Sequence, residues 1–235
     1  MSPQPKRART GLLITLIAAV AVAAIIVWIV VANLRSTDAA ASEVPQSALP
    51  DSTSMGVVEL QVADLDQMRG YYETALGLRV LNESADAVEL GLDQPLITLQ
   101  VGEGTAPAST PSEAGLYHSA ILYPDEAALA RVLLRIATVA PNSFQGSADH
   151  KVSLAFYFVD PEGNGLELYT DRPSDEWNWV NGEVEMGAYA LDPNQFITEH
   201  LGSDLSTELG LKLDPDATAD MGHVHMKVGD LAIAE

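Results

Sequence analysis

Cysteine is absent from the 235 residues. This excludes disulfides, thiol catalysis, zinc–thiolate sites and lipid attachment through a thiol. Basic residues are scarce: 12 Lys and Arg stand against 33 Asp and Glu, a formal net charge of −21. Four of the bases (Lys6, Arg7, Arg9 and Arg35) fall in the first 35 residues, which hold no acid. The remainder, 36–235, therefore carries 12 − 4 = 8 bases against 33 acids, or −25. Such a surface repels phosphate backbones and argues against nucleic-acid binding. Only three of those eight bases are Lys, which suits a high-salt setting as well as ordinary acidic solubility. Hydrophobic residues reach 47%, too many for wholesale disorder. A mean hydropathy of +0.10 is too low for a polytopic membrane protein.

There is one long apolar run, LLITLIAAVAVAAIIVWIVVA at 12–32, with Thr15 as its only polar residue. Twenty-one helical residues span roughly 31 Å, the thickness of a hydrocarbon core. Three bases precede the run and one follows, which keeps the N-terminus cytoplasmic. The reading is a cytoplasmic stub at 1–10, a transmembrane signal anchor at 11–33 and an Ala/Ser/Pro/Asp-rich linker at 34–54. The protein is then single-pass in the cell membrane, with its soluble domain extracytoplasmic. The rival is a cleaved signal peptide, for which Ala39-Ala40-Ala41 offers a small-residue site. Both put 36–235 outside the cytoplasm.

The soluble part repeats one order of elements. VVELQV at 57–62 alternates as a strand. Asp64 caps a helix through Leu76, with Leu65, Met68, Tyr72 and Leu76 on one face and Gly77 at its end. Three strand-like runs follow near 78–81, 87–92 and 96–101, then a loop at 103–115. The order then returns: a strand at 116–122, and a helix from Asp125 with the stripe Leu129, Val132, Leu133 and Ile136. Strand-like runs come next near 150–158 and 165–170, joined by the tight turn DPEGNG at 160–165. The fold class predicted is α+β: paired βαβββ modules over 55–173, after one N-terminal transmembrane helix. Residues 174–220, with Trp177, Trp179 and a helix-like stretch near 193–201, form a connector.

An internal repeat is also visible. MGVVELQVADL (55–65) and MGHVHMKVGDL (221–231) lie 166 residues apart and match at six of eleven positions. The second copy stops where its helix should begin. The expectation is that 221–235 is the truncated start of a second domain, poorly held for want of its partners.

Single histidines say little, since an inward His such as His118 is more often a satisfied core residue than a ligand. Glu167 in GLELY is more specific, because a carboxylate between apolar neighbours needs a partner or a metal. The segment ADHKVSLAFYFVDPEGNGLELYTDRPSDEW (148–177) resembles the vicinal oxygen chelate superfamily of glyoxalases, bleomycin-resistance proteins and dioxygenases. Within it, the chain is similar to two-domain, catechol 2,3-dioxygenase-like extradiol enzymes. The signature runs from His150 through an aromatic and Tyr157, an Asp-Pro pair and a Gly to Glu167. GLYHSAIL (115–122) and VADLDQMRGYYETALGL (62–78) resemble further family segments, while Ala148 departs from the signature.

The resemblance implies Fe(II) or Mn(II) held by two His and one carboxylate, leaving room for a catechol-like aromatic and O₂. It assigns metal ligation to His118 and Glu167, acid–base work to His150 and a substrate hydrogen bond to Tyr157. The third ligand's place falls on Val57, which has no lone pair, and the repeat carries His223 at the same place. His223 is accordingly assigned to the missing second domain. On this reading metal binding by the chain is doubtful and ring cleavage weak or absent. The alternative is a module that sequesters a small molecule without chemistry, as bleomycin-resistance-like relatives do. A homo-oligomer stays open.

Overall fold

The computed structural model describes residues 50, 53–102, 113–202, 205–206, 211–212 and 214–234. The expected anchor at 11–33 and most of the linker and of the 103–115 loop lie outside them. Among the described residues no helix is long and apolar enough to cross a membrane.

The first βαβββ module consists of β1 (Val58–Val62), α1 (Leu65–Thr74), β2 (Arg79–Glu83), β3 (Ala87–Gly91) and β4 (Pro95–Val101). Its sheet runs β1-β4-β3-β2, with β1 parallel to β4 and the other pairs antiparallel. The second module repeats the order: β5 (Gly115–Leu122), α2 (Glu126–Val139), β6 (Phe144–Asp149), β7 (Ser153–Val159) and β8 (Gly165–Asp171). Both predicted caps form, Asp64 accepting from Gln67 N and Asp125 from Ala128 N. Gly77 takes a positive φ of 74° just past α1.

Period-2 alternation divides the second sheet between two environments. Phe156 and Phe158 of β7 and Leu166 and Leu168 of β8 join the helices' apolar stripes in one core with Met68, Tyr72 and the first sheet. The opposite face carries Ala120, Ala155, Tyr157 and Tyr169 in a smaller cluster. Glu167 and Tyr157 are cross-strand partners on that second face.

The DPEGNG turn ties the modules together. The buried Asp160 carboxylate accepts from Glu162 N (3.0 Å), Asn164 N (2.9 Å), Asn164 Nδ2 (2.9 Å) and the hydroxyl of Tyr72 on α1 (3.1 Å). Glu162 accepts from Ala63 N and Asp64 N at the start of α1 (both 2.9 Å). Asp160→Ala would leave several of these donors without a partner. It is expected to cost about 3 kcal/mol of stability, read as a lowered urea midpoint. An unchanged midpoint would show that the turn is incidental to how the modules are held.

The connector folds into a short hairpin, β9 (Trp179–Val180) and β10 (Glu183–Val184), followed by α3 (Pro193–Leu201). The hairpin turns on Asn181 and Gly182, both at positive φ (54° and 84°). Phe196 and Ile197 of α3 enter the main core.

The end of the chain departs from expectation. Residues Asp220–Lys227 form β11, which pairs antiparallel with β5, and α4 (Leu231–Ala234) follows. The five-stranded sheet runs β11-β5-β8-β7-β6. The strand predicted to be poorly held thus takes the open edge of β5, where its backbone groups find partners and Met221 is buried.

Candidate metal centre

Three strands bring the site together through their register. Ala120 of β5 is paired with Glu167 on one side and with His223 on the other. Two residues along the same face of β5 stands His118, paired with His225. Because Ala120 carries only a methyl group, the space between its two neighbours is left to the three longer side chains. The ligand atoms of His118, Glu167 and His223 all lie within 4.8 Å of one another.

His118 and Glu167 are 5% and 4% exposed, and His223 is half-buried. Nε2 of His118 lies 2.8 Å from Glu167 Oε2, and Nε2 of His223 lies 3.4 Å from the same oxygen. The shorter approach is misaligned for a hydrogen bond, so the buried His118 Nε2 has no hydrogen-bond partner. A buried nitrogen without an aligned hydrogen bond is costly. It is also the arrangement expected where donor atoms aim at a shared point instead of at each other. Two imidazoles and one carboxylate suit a divalent first-row ion with open coordination positions. The donor set therefore fits the metal that the sequence implies.

Burial by itself raises the Glu167 carboxyl, but the two imidazoles outweigh burial and hold it at about 2. The Glu167 carboxylate in turn raises His223. His225 is lowered, first by burial and then by His118 and His223. Its ring meets those of His118 and Tyr117 edge-on, at 4.9 and 4.8 Å between centroids.

β11 approaches this face closely because position 222 has no side chain. A Cβ there would stand 1.9 Å from the Tyr169 hydroxyl. The ladder is bulged between Met221 and His223, which keeps His223 over Ala120. The Tyr169 and His223 rings are 5.3 Å apart.

His150 lies in the turn between β6 and β7, beside Lys151 at φ 70°. The strand expected near 150–158 is in fact Ser153–Val159. His150 Nε2 is 2.8 Å from the Tyr157 hydroxyl, and its Nδ1 is 2.6 Å from the Gly187 carbonyl. Burial, followed by the charges of Glu167 and Tyr117, raises the Tyr157 phenol to about 12, so it stays protonated. Its ring also packs on His118, 5.6 Å between centroids. A cleft of about 390 Å³ opens beside His118 and Tyr157, lined also by Tyr117, Gln145 and Lys227.

The structure places His118, Glu167, His150 and Tyr157 near one another, and it puts a different residue in the third place. Val57 stands just before β1, 44% exposed. The position beside His118 and Glu167 is held instead by His223, assigned from sequence to a separate domain. His225 and Tyr169, which sequence reasoning passed over, border it. The usable signal was the repeat: a strand patterned like β1 can seek a comparable sheet edge, and this copy carries His at the place of Val57.

No protein-family profile matches the chain. The chain is homologous to the catechol-2,3-dioxygenase of Bacillus subtilis (strain 168), with 32% identity over 192 residues covering 80% of this chain. It is 27% identical over 132 residues, 53% of its length, to biphenyl-2,3-diol 1,2-dioxygenase 3 of Rhodococcus globerulus. It spans 64% and 68% of the lengths of these two relatives. Among solved structures, a glyoxalase/bleomycin resistance protein/dioxygenase from Alicyclobacillus acidocaldarius aligns at TM-score 0.43 and 15% identity, over 55% of this chain and 98% of that one. A lactoylglutathione lyase from Agrobacterium tumefaciens aligns at TM-score 0.41 and 19% identity, over 55% of this chain and 100% of that one.

Proposed function

We propose that the chain is a metal-dependent oxygenase that opens a catechol-type ring with O₂, in the extradiol manner of its dioxygenase homologue. The observation that carries this reading is the convergence of buried His118 Nε2, Glu167 and His223, with no aligned hydrogen bond between His118 and the carboxylate. These three residues would hold Fe(II) or Mn(II), which supplies Lewis-acid and redox chemistry toward catechol and O₂.

The chain's own groups handle the protons. With hydrogen on Nδ1, which faces the Gly187 carbonyl, His150 Nε2 accepts from the Tyr157 hydroxyl 2.8 Å away. When Tyr157 turns its hydroxyl to the substrate, that nitrogen is freed to take a proton from a catechol hydroxyl, the general-base step suited to an imidazole near neutral pH. Tyr157 remains a phenol, and its single O–H can turn from His150 to a substrate oxygen. Its ring and those of Tyr117 and His118 offer flat faces to an aromatic guest. The expectation of weak or absent activity rested on two ligands with Val57 in the third place, and His223 supplies the missing donor type.

The test is oxygen uptake. The full chain, loaded anaerobically with Fe(II) or Mn(II), is mixed with catechol in aerated buffer. Metal-dependent O₂ consumption with a ring-opened product is expected. Catechol binding without O₂ consumption, with either metal, would favour the sequestering module instead.

A further inference from the structure

We propose that the connector after β8 sets the tautomer of His150, through the Gly187 carbonyl. His150 would thereby present an unprotonated Nε2 to Tyr157, which lines the cleft. The tautomer stands on the geometry alone, while its use as a base rests on the ring-cleaving reading.

A carbonyl oxygen only accepts, so the 2.6 Å contact between Gly187 O and His150 Nδ1 requires hydrogen on Nδ1. A neutral imidazole has one N–H, which leaves Nε2 to accept from the Tyr157 hydroxyl at 2.8 Å. The opposite tautomer would set the Nδ1 lone pair against those of the carbonyl oxygen. Only one assignment satisfies both contacts. When Nε2 takes up a proton, the Nδ1–H bond to Gly187 persists, so the acceptor end can load without the ring turning.

Gly187 is held in place from several sides. Two residues on, Tyr189 exchanges both backbone hydrogen bonds with Asp149 (3.1 and 3.0 Å), the residue before His150. Arg172 grips the Asp149 carboxylate at 2.7 and 2.9 Å. Lys151, the residue after His150, pairs with Glu185 at 2.5 Å and lies 5.1 Å from the centre of the Tyr189 ring. The connector is thus pinned on both sides of His150. A Cβ on Gly187 would stand 2.5 Å from the ring of Tyr189, whose exposed side chain can turn aside. Gly187 and Tyr189 are positioning residues.

The test is ¹⁵N NMR of the full chain with labelled histidine, at about pH 8, above the ordinary imidazole pKa of about 6.5. There are five histidines, and His150→Gln identifies the signals of residue 150. The Nδ1–H form is expected in about tenfold excess. Tyr157→Phe should keep Nδ1–H dominant, because the Gly187 carbonyl remains. A dominant Nε2–H form in the wild type overturns the proposal. Loss of the Nδ1–H form in Tyr157→Phe also overturns it, because the tyrosine would then be in control. The measurement needs neither metal nor turnover, so failure of the ring-cleaving reading would leave it standing.

Discussion

His223→Ala is expected to lower the affinity of the full chain for Fe(II) or Mn(II) by more than about 100-fold. Loss of a partner that merely orients a ligand costs about 10–100-fold, and a ligand should matter more. Anaerobic titration calorimetry of wild type and variant measures this directly. Val57→His, which adds an imidazole on an exposed residue outside β1, should leave the affinity within about threefold of wild type. The two variants separate rival accounts of the third ligand. Tight binding retained in His223→Ala, together with a gain in Val57→His, would return that place to the first strand. It would also remove β11 from the site.

His150→Gln is expected to lower kcat by about 10²–10⁴-fold, the usual contribution of a positioned acid or base. Metal affinity should stay within about threefold, because His150 contacts Tyr157 and Gly187 and is absent from the ligand cluster. Steady-state O₂ uptake paired with metal titration separates the two effects. A variant that loses both together would place His150 among the ligands. One that keeps full kcat would take it out of the chemistry.

The parts of this fold that sequence exposes are those with strong periodicity and strong end signals. α2 was legible because its apolar stripe is flanked by Asp125, and that cap forms. β8 was legible because Leu166 and Leu168 alternate with Glu167 and Tyr169, and both faces are occupied as the pattern implies. β6 was not legible, because FQGSAD contains Gly146 and a break in register and mixes polar with small residues. The β9–β10 hairpin was signalled by Asn181-Gly182, a positive-φ pair that the reading left unused.

For the site, local motifs located His118, Glu167, His150 and Tyr157, all within one module. His223 could not be placed in the same way, since its position depends on which sheet edge β11 joins. Hydrogen bonding to a strand edge is nearly independent of sequence, so that choice leaves little trace in the residues themselves. Gly187 was equally hidden: it acts through a backbone carbonyl, which every residue has.

On the proposed ligand set, the last donor sits on an edge strand reached only after the whole connector, so filling the site and closing the sheet would become one equilibrium. Closing so long a loop is not prohibitive, as each doubling of its length adds only about 0.6 kcal/mol. Mass action then makes the free ion a folding ligand: a site saturated at about 100 times Kd favours the docked strand by about 2.7 kcal/mol. A chelator would do more than silence such a protein. By removing the ion it would loosen β11 from β5 and bare a row of unpaired backbone groups on a strand that also carries Met226 and, just beyond it, Val228. For this chain, metal supply would govern how readily the molecule sticks to its neighbours as well as whether it turns over.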